Sequence, residues 1–265
     1  MKDQAVQPTL YIPHGGGPCF FMDDPQAIWT GMAAFLRRYP EQLPARPKAI
    51  IVVSAHWETR GFIFGAAVRP TMIYDYSGFP PHTYQLNYPI AGAPALAARA
   101  AALLSSKGLE ASIDEARGID HGLFIPMMVS FPEGDIPMIE MSVEKTFDPQ
   151  LHLDAGKALA PLRAEGVLIV GSGMSFHNMR GYGDPRFTAP SEEFDQWLTA
   201  AAKSDPDTRE ALLAAWRDAP SARLSHPREE HLLPLMVAAG ASGGEGRRIY
   251  SERVMQTAIS AFRFD

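Results

Sequence analysis

Two short, uninterrupted apolar runs, Ala49-Ile50-Ile51-Val52-Val53 and Val167-Leu168-Ile169-Val170, constrain what this chain can fold into more than any other feature. β-Branched residues dominate both, no polar residue alternates through them, and small or turn-forming residues close them. Such a run suits a strand covered on both faces, the situation inside a parallel sheet. Tyr11-Ile12 reads as a shorter strand, and Phe62 to Ala67, Ile136 to Met141 and Ala258 to Phe264 are further candidates. Between them, helices are predicted at Pro25 to Arg38, Ala93 to Ser106, Pro149 to Arg163, Ser191 to Lys203, Thr208 to Trp216 and Pro227 to Ala239. Pro234 is expected to kink or divide the last of these. The alternation predicts an α/β fold with a central, largely parallel or mixed sheet flanked by helices. No repeat, low-complexity segment or long linker interrupts residues 1–265, so one domain is expected.

Composition excludes several function classes. With 24 basic against 30 acidic side chains the net charge is −6, and no basic run is present to displace counterions from a nucleic acid. The longest apolar run, Ala211 to Trp216, has six residues, against the ~20 that a membrane helix needs. Met1 to Thr9 carries Lys2 and Asp3 and no apolar core, so it does not resemble a secretory signal, and cytoplasm is the expected compartment. Cys19 is the single cysteine, which rules out an intrachain disulfide and a zinc site built on several thiolates. The stretch from Pro70 to Pro89 holds Tyr74, Tyr76, Phe79, Tyr84 and Tyr88. It either walls a pocket for a flat substrate or packs down on its own side chains.

Histidine placement carries most of the functional information. Of eight, at positions 14, 56, 82, 121, 152, 177, 226 and 231, three closely follow candidate strands: His14, His56 and His177. Ligands gather at the carboxyl ends of strands in open α/β sheets, so these three could converge. Convergent imidazoles suggest a metal, because each neutral ring offers one lone pair. His14 precedes Gly15-Gly16-Gly17-Pro18, a backbone open to close approach, and the glycines of Gly171-Ser172-Gly173 are expected to turn the chain sharply before His177. Glu230 and His231 stand near a helix start, where the positive helix end favours the anion over a bound cation. Asp120 either orients His121 or caps a turn. His82, His152 and His226 read as structural or surface residues. No Gly-x-Ser-x-Gly elbow surrounds Ser172 or Ser175, no phosphate-binding lysine follows the glycine run, and a lone cysteine between Pro18 and Phe20 reads as an inert thiol rather than a nucleophile.

Taken together, His14-Gly15-Gly16-Gly17-Pro18, Ser54-Ala55-His56-Trp57, Tyr74-Asp75-Tyr76-Ser77-Gly78-Phe79-Pro80, Asp120-His121-Gly122, Ser175-Phe176-His177-Asn178 and Glu230-His231-Leu232-Leu233-Pro234-Leu235 resemble the DODA-type extradiol aromatic ring-opening dioxygenases. These belong to the class III extradiol superfamily, with the protocatechuate 4,5-dioxygenase catalytic subunit. The resemblance runs in order from about residue 10 to about residue 240. It implies cleavage of a catechol, such as 3,4-dihydroxyphenylalanine, beside its paired hydroxyls with O2. It also implies metal ligation by His14, His56 and His231, with His177 as the acid/base residue close enough to coordinate at rest, and His121 near substrate and oxygen. Other class III enzymes use a carboxylate as third ligand, which leaves Glu230 open beside His231. Iron(II) is the implied active metal, since zinc has no redox chemistry, while zinc, which binds nitrogen sites more tightly, can occupy a purified sample. Two rival readings use the same residues: a zinc hydrolase, and a non-catalytic binding protein.

Overall fold

The computed structural model describes residues 5–265, so Lys2 and Asp3 lie outside the described residues. The chain begins with β1 (Thr9–Pro13), α1 (Thr30–Arg38), β2 (Ala49–Thr59) and β3 (Phe62–Gly65). It continues through α2 (Pro94–Ser105), β4 (Ala111–Asp114), α3 (His121–Ser130), β5 (Met138–Glu144), α4 (Pro149–Leu159), α5 (Pro161–Ala164) and β6 (Val167–Gly173). Next come α6 (Thr188–Lys203), α7 (Pro206–Ala214), α8 (Ala222–Ser225), α9 (Leu233–Gly240), β7 (Gly246–Val254) and β8 (Thr257–Phe264).

All eight strands form one mixed sheet in the order β4-β3-β5-β2-β6-β1-β8-β7. The middle four, β5-β2-β6-β1, are parallel, and β3/β5, β1/β8 and β7/β8 are antiparallel. The α/β fold is the one expected. Alternate residues of the apolar runs serve opposite faces: Ile51, Val53, Val167 and Ile169 enter one core, and Ile50, Val52, Leu168 and Val170 the other. Helices α2, α4, α6 and α9 cover the first face, while α1 and α3 cover the second. Burying each such Ile or Val stabilises the fold by about 1.5–3 kcal/mol.

Several expected boundaries move for identifiable reasons. The helix expected from Pro25 begins at Thr30, because Asp24 accepts hydrogen bonds from the N–H groups of Ile28 and Trp29 and Ala27 takes a positive φ. The Pro149 helix breaks after Leu159, where Pro161 supplies no N–H. The helix expected from Pro227 starts only at Leu233, and Pro234 does not kink it: it sits in the first turn, where its missing N–H is no loss. β2 runs on to Thr59, so His56 lies within the strand rather than after it. Gly171 and Gly173 are also part of a strand and do not form a turn. β4, β7 and α3 were not foreseen. Among the described residues no helix is long and apolar enough to cross a membrane.

Candidate active site

Neighbouring strands bring distant histidines together. In register, Pro13 stands beside Gly173 and Ser54 beside Ser172, so β1 and β6 end side by side, level with the middle of β2. His14 follows directly, its N–H still donating to the Gly173 carbonyl at 3.2 Å. His56 lies where the β2/β5 register slips between Val53 and Glu58, a bulge that re-aims a side chain. His121 opens α3, whose cap is Asp120. His231 reaches the site because β6 carries glycines: a Cβ at Gly173 would stand 2.1 Å from the His231 carbonyl oxygen, and one at Gly171 2.2 Å from that of Pro234. The Tyr11 hydroxyl then donates to the His231 carbonyl at 2.7 Å.

The rings of His14, His56 and His231 form a near-equilateral triangle, with centroids 4.9, 5.1 and 4.8 Å apart. His56 Nε2 faces His14 Nε2 at 3.1 Å. His121 lies 3.8 Å from His56, and His177 stacks on His231 at 3.4 Å, both centroid to centroid. All five line one cavity of about 500 Å³. His82, His152 and His226 lie outside it and bond to backbone groups instead.

Hydrogen bonds on the far side of each ring decide which nitrogen faces the cavity. Pro126 lies inside α3 and has no N–H for the Gly122 carbonyl one turn earlier. Ser172 Oγ fills that vacancy, donating to the Gly122 carbonyl at 2.5 Å. Its proton committed, Ser172 Oγ accepts from His14 Nδ1 at 3.1 Å, leaving the lone pair on Nε2. Asp75 accepts from His121 Nδ1 at 2.7 Å. One oxygen of Glu230, Oε1, accepts from both His177 Nδ1 and His231 Nδ1 at 3.0 Å each.

Electrostatics keep this arrangement ready for a cation. Burial, then the neighbouring imidazoles, hold His14 and His231 well below the ordinary histidine pKa. Burial and His121 push His56 down to about 4. Burial alone would raise the Asp75 and Glu230 carboxyls, but hydrogen bonds from His121 and His177 outweigh it and hold both below the usual range. Neutral rings with inward lone pairs are metal donors. Two nitrogens each about 2.1 Å from a shared ion can stand at most about 4.2 Å apart, and the 3.1 Å between His14 and His56 meets that limit. The residues fit a divalent metal. His14, His56 and His121, and separately His177, Glu230 and His231, have ligand atoms within 4.8 Å of one another.

Other expectations resolve more simply. Burial pushes the Cys19 thiol up to about 12, so it is no nucleophile. Both readings of the aromatic loop hold in part. Tyr76 and Phe79 line the cavity, while Tyr74 and Tyr88 hydrogen-bond to backbone carbonyls elsewhere. Arg180, three residues beyond His177, is exposed and not among the lining residues. Asp120 caps α3, and Asp75 is the carboxylate that holds His121. Sequence reasoning missed Asp75 and Ser172 as supports for the site. An acid between two tyrosines was the only signal for the first, and none existed for the second.

An α/β sheet that gathers neutral imidazoles at its strand ends, beside a cavity walled by aromatic side chains, has the architecture of a histidine-based metalloenzyme. Residues 8–263 match the family described as the catalytic LigB subunit of aromatic ring-opening dioxygenase, and the chain belongs to that family. It is 39% identical to "Dioxygenase tasH" of Hapsidospora irregularis, over 97% of this chain and 85% of that protein. It is 38% identical to "4,5-DOPA dioxygenase extradiol" of Beta vulgaris, over 91% and 89% respectively. The crystal structure of uncharacterized protein JW3007 from Escherichia coli K12 superimposes with a TM-score of 0.77 at 28% identity, covering 98% of this chain and 100% of that one. The protein is an enzyme of the extradiol ring-cleaving class, as its motifs resembled. Neither the hydrolase nor the binding-protein reading is favoured.

Proposed function

We propose that the protein, acting as one domain, holds iron(II) with His14, His56 and His231 and uses O2 to open a catechol ring beside its paired hydroxyls. The observation that carries this reading is the triangle of those three rings around one cavity. When bound, the metal supplies a Lewis acid for the catechol oxygens and a redox centre for dioxygen. The protein residues supply position and protons. His177 Nδ1 is committed to Glu230, so Nε2 takes the proton of a substrate hydroxyl and returns it as the ring opens. The Glu230 carboxylate, held ionised, stabilises the imidazolium in between. His121, fixed by Asp75, stands beside substrate and oxygen. Tyr76 and Phe79 supply aromatic wall beside a flat substrate. A Cβ at Gly17 would stand 2.7 Å from the Phe79 ring, so the glycine run lets that wall close against the His14 loop.

Glu230 Oε1 already accepts from two imidazoles, so the carboxylate alternative for the third ligand rests on Oε2 alone, which is buried without a hydrogen-bond partner. His121 is a second reading for that ligand, since its donor atom lies close to those of His14 and His56. Anaerobic loading with iron(II), followed by air and a catechol, is expected to give oxygen uptake and a yellow ring-fission product. Turnover with zinc alone and without oxygen would contradict the proposal. His177→Ala is expected to lower kcat by about 10²–10⁴-fold while metal stays bound.

A further inference from the structure

We propose that this cavity selects a catechol whose ring substituent is uncharged and apolar, and disfavours one that carries a carboxylate. The inference deepens the ring-cleavage reading and rests on it.

The cavity is divided by chemistry. Five imidazoles cluster with Asp75, whose Oδ1 is already engaged by the His121 backbone N–H and ring. Of the other polar lining residues, Tyr76 and Tyr182 spend their hydroxyls on the Thr83 and Phe176 carbonyls, and Ser77 is exposed. Trp29, Phe79 and Met174 contribute apolar wall, and Met179 and Met255 continue it. At about 500 Å³ the volume is within the usual range of small-molecule sites, with space for a substituent beyond the ring.

Two observations set the class of that substituent. Among the described residues no Lys or Arg lines the cavity. Arg228, the basic residue next to Glu230 in space, is tied to Glu58 by two hydrogen bonds. A carboxylate on the substituent would leave water without a basic side chain to meet it, in a cavity whose one lining carboxylate, Asp75, has the same sign of charge. The second observation is apolar exposure. Met179 is 71% exposed and Met255 39% exposed, two of the six exposed large hydrophobics among the described residues, and both line this one cavity. Scattered exposed apolar residues are ordinary. Two methionines on one opening extend the apolar wall to its rim, and their flexible thioethers adapt to an alkyl or aryl group.

The test compares 4-propylcatechol with 3-(3,4-dihydroxyphenyl)propionate, which differ by a terminal methyl against a carboxylate. With iron-loaded enzyme, kcat/KM is expected to favour 4-propylcatechol by at least about tenfold. Calorimetric binding to the zinc-loaded protein is expected to rank them alike without turnover. Equal or reversed ranking in both assays overturns the selection while leaving ring cleavage standing. Oxygen uptake with neither compound overturns the ring-cleavage reading itself, and the zinc-form ranking still decides selection. The Met179→Arg variant, at an exposed position that tolerates the change, is expected to shift the ratio at least about fivefold toward the propionate. An unchanged ratio there overturns the placement of the substituent beside Met179.

Discussion

At Glu230 one carboxylate oxygen serves two imidazoles, and the hydrogen-bonding capacity of the site turns on that economy. His177 and His231 stack at 3.4 Å, and each sends its Nδ1–H to Oε1. Replacing Glu230 with Gln keeps the shape but removes the charge and weakens the acceptor for two donors. Zinc affinity, measured by equilibrium dialysis, is expected to fall about 10–100-fold with the circular-dichroism spectrum unchanged. An affinity within twofold of the parent would show that Glu230 does not position these rings. Ser172 performs the same service for His14 through a contact 158 residues apart in sequence. Ser172→Ala leaves the His14 Nδ1 and the Gly122 carbonyl without their partner, and a loss of zinc affinity of the same order is expected.

Helix α3 shows how one element links packing to the site. All its residues but Met128 are buried, so no polar face marks it, and it carries Pro126 in its interior. These two features explain why it was illegible: without 3.6-residue alternation, and with a proline, periodicity gives no helix signal. The central strands were legible for the opposite reason, since burial on both faces writes a continuous apolar run. Edge strands β4 and β7 were lost because exposed polar and charged residues interrupt them. Pro126→Ala would restore an N–H to compete with Ser172 for the Gly122 carbonyl. Zinc affinity is expected to fall in the Pro126→Ala variant, and the Pro126→Ala/Ser172→Ala pair to lose less than the sum of the two single changes. Additive losses in the same dialysis assay would separate the proline from the His14 support.

For the whole molecule, acid is the expected weakness, because several buried histidines are folded in the neutral form. His152 is the clearest: Nδ1 donates to the Asp148 carbonyl at 2.7 Å and Nε2 accepts from the Glu144 N–H at 3.0 Å, tying α4 to the end of β5. Burial lowers its pKa from 6.5 to about 4. As pH falls from about 6.5 to about 4 the unfolded chain takes up a proton that the folded chain refuses, and up to about 3 kcal/mol of stability is lost. Urea unfolding is expected to show the parent losing stability across that window, and His152→Leu, weaker at neutral pH, losing less. A constant gap between the two from pH 7 to pH 4 would contradict this. The same assembly explains how far the site could be read in advance. Strand ends announced His14, His56 and His177, and motif resemblance supplied His121 and His231. The hydrogen bonds that aim their rings come from Asp75, Ser172 and Glu230, whose positions only the folded sheet and its loops bring together. Central to all of it is a single ion shared by His14, His56 and His231. The most direct test is a cobalt(II) titration, followed by visible absorption, of the parent and the His14→Ala, His56→Ala, His231→Ala and His121→Ala variants. One tightly bound ion per chain is expected in the parent and in His121→Ala, with binding lost in the other three. Tight binding by His231→Ala with loss in His121→Ala would contradict the ligand set.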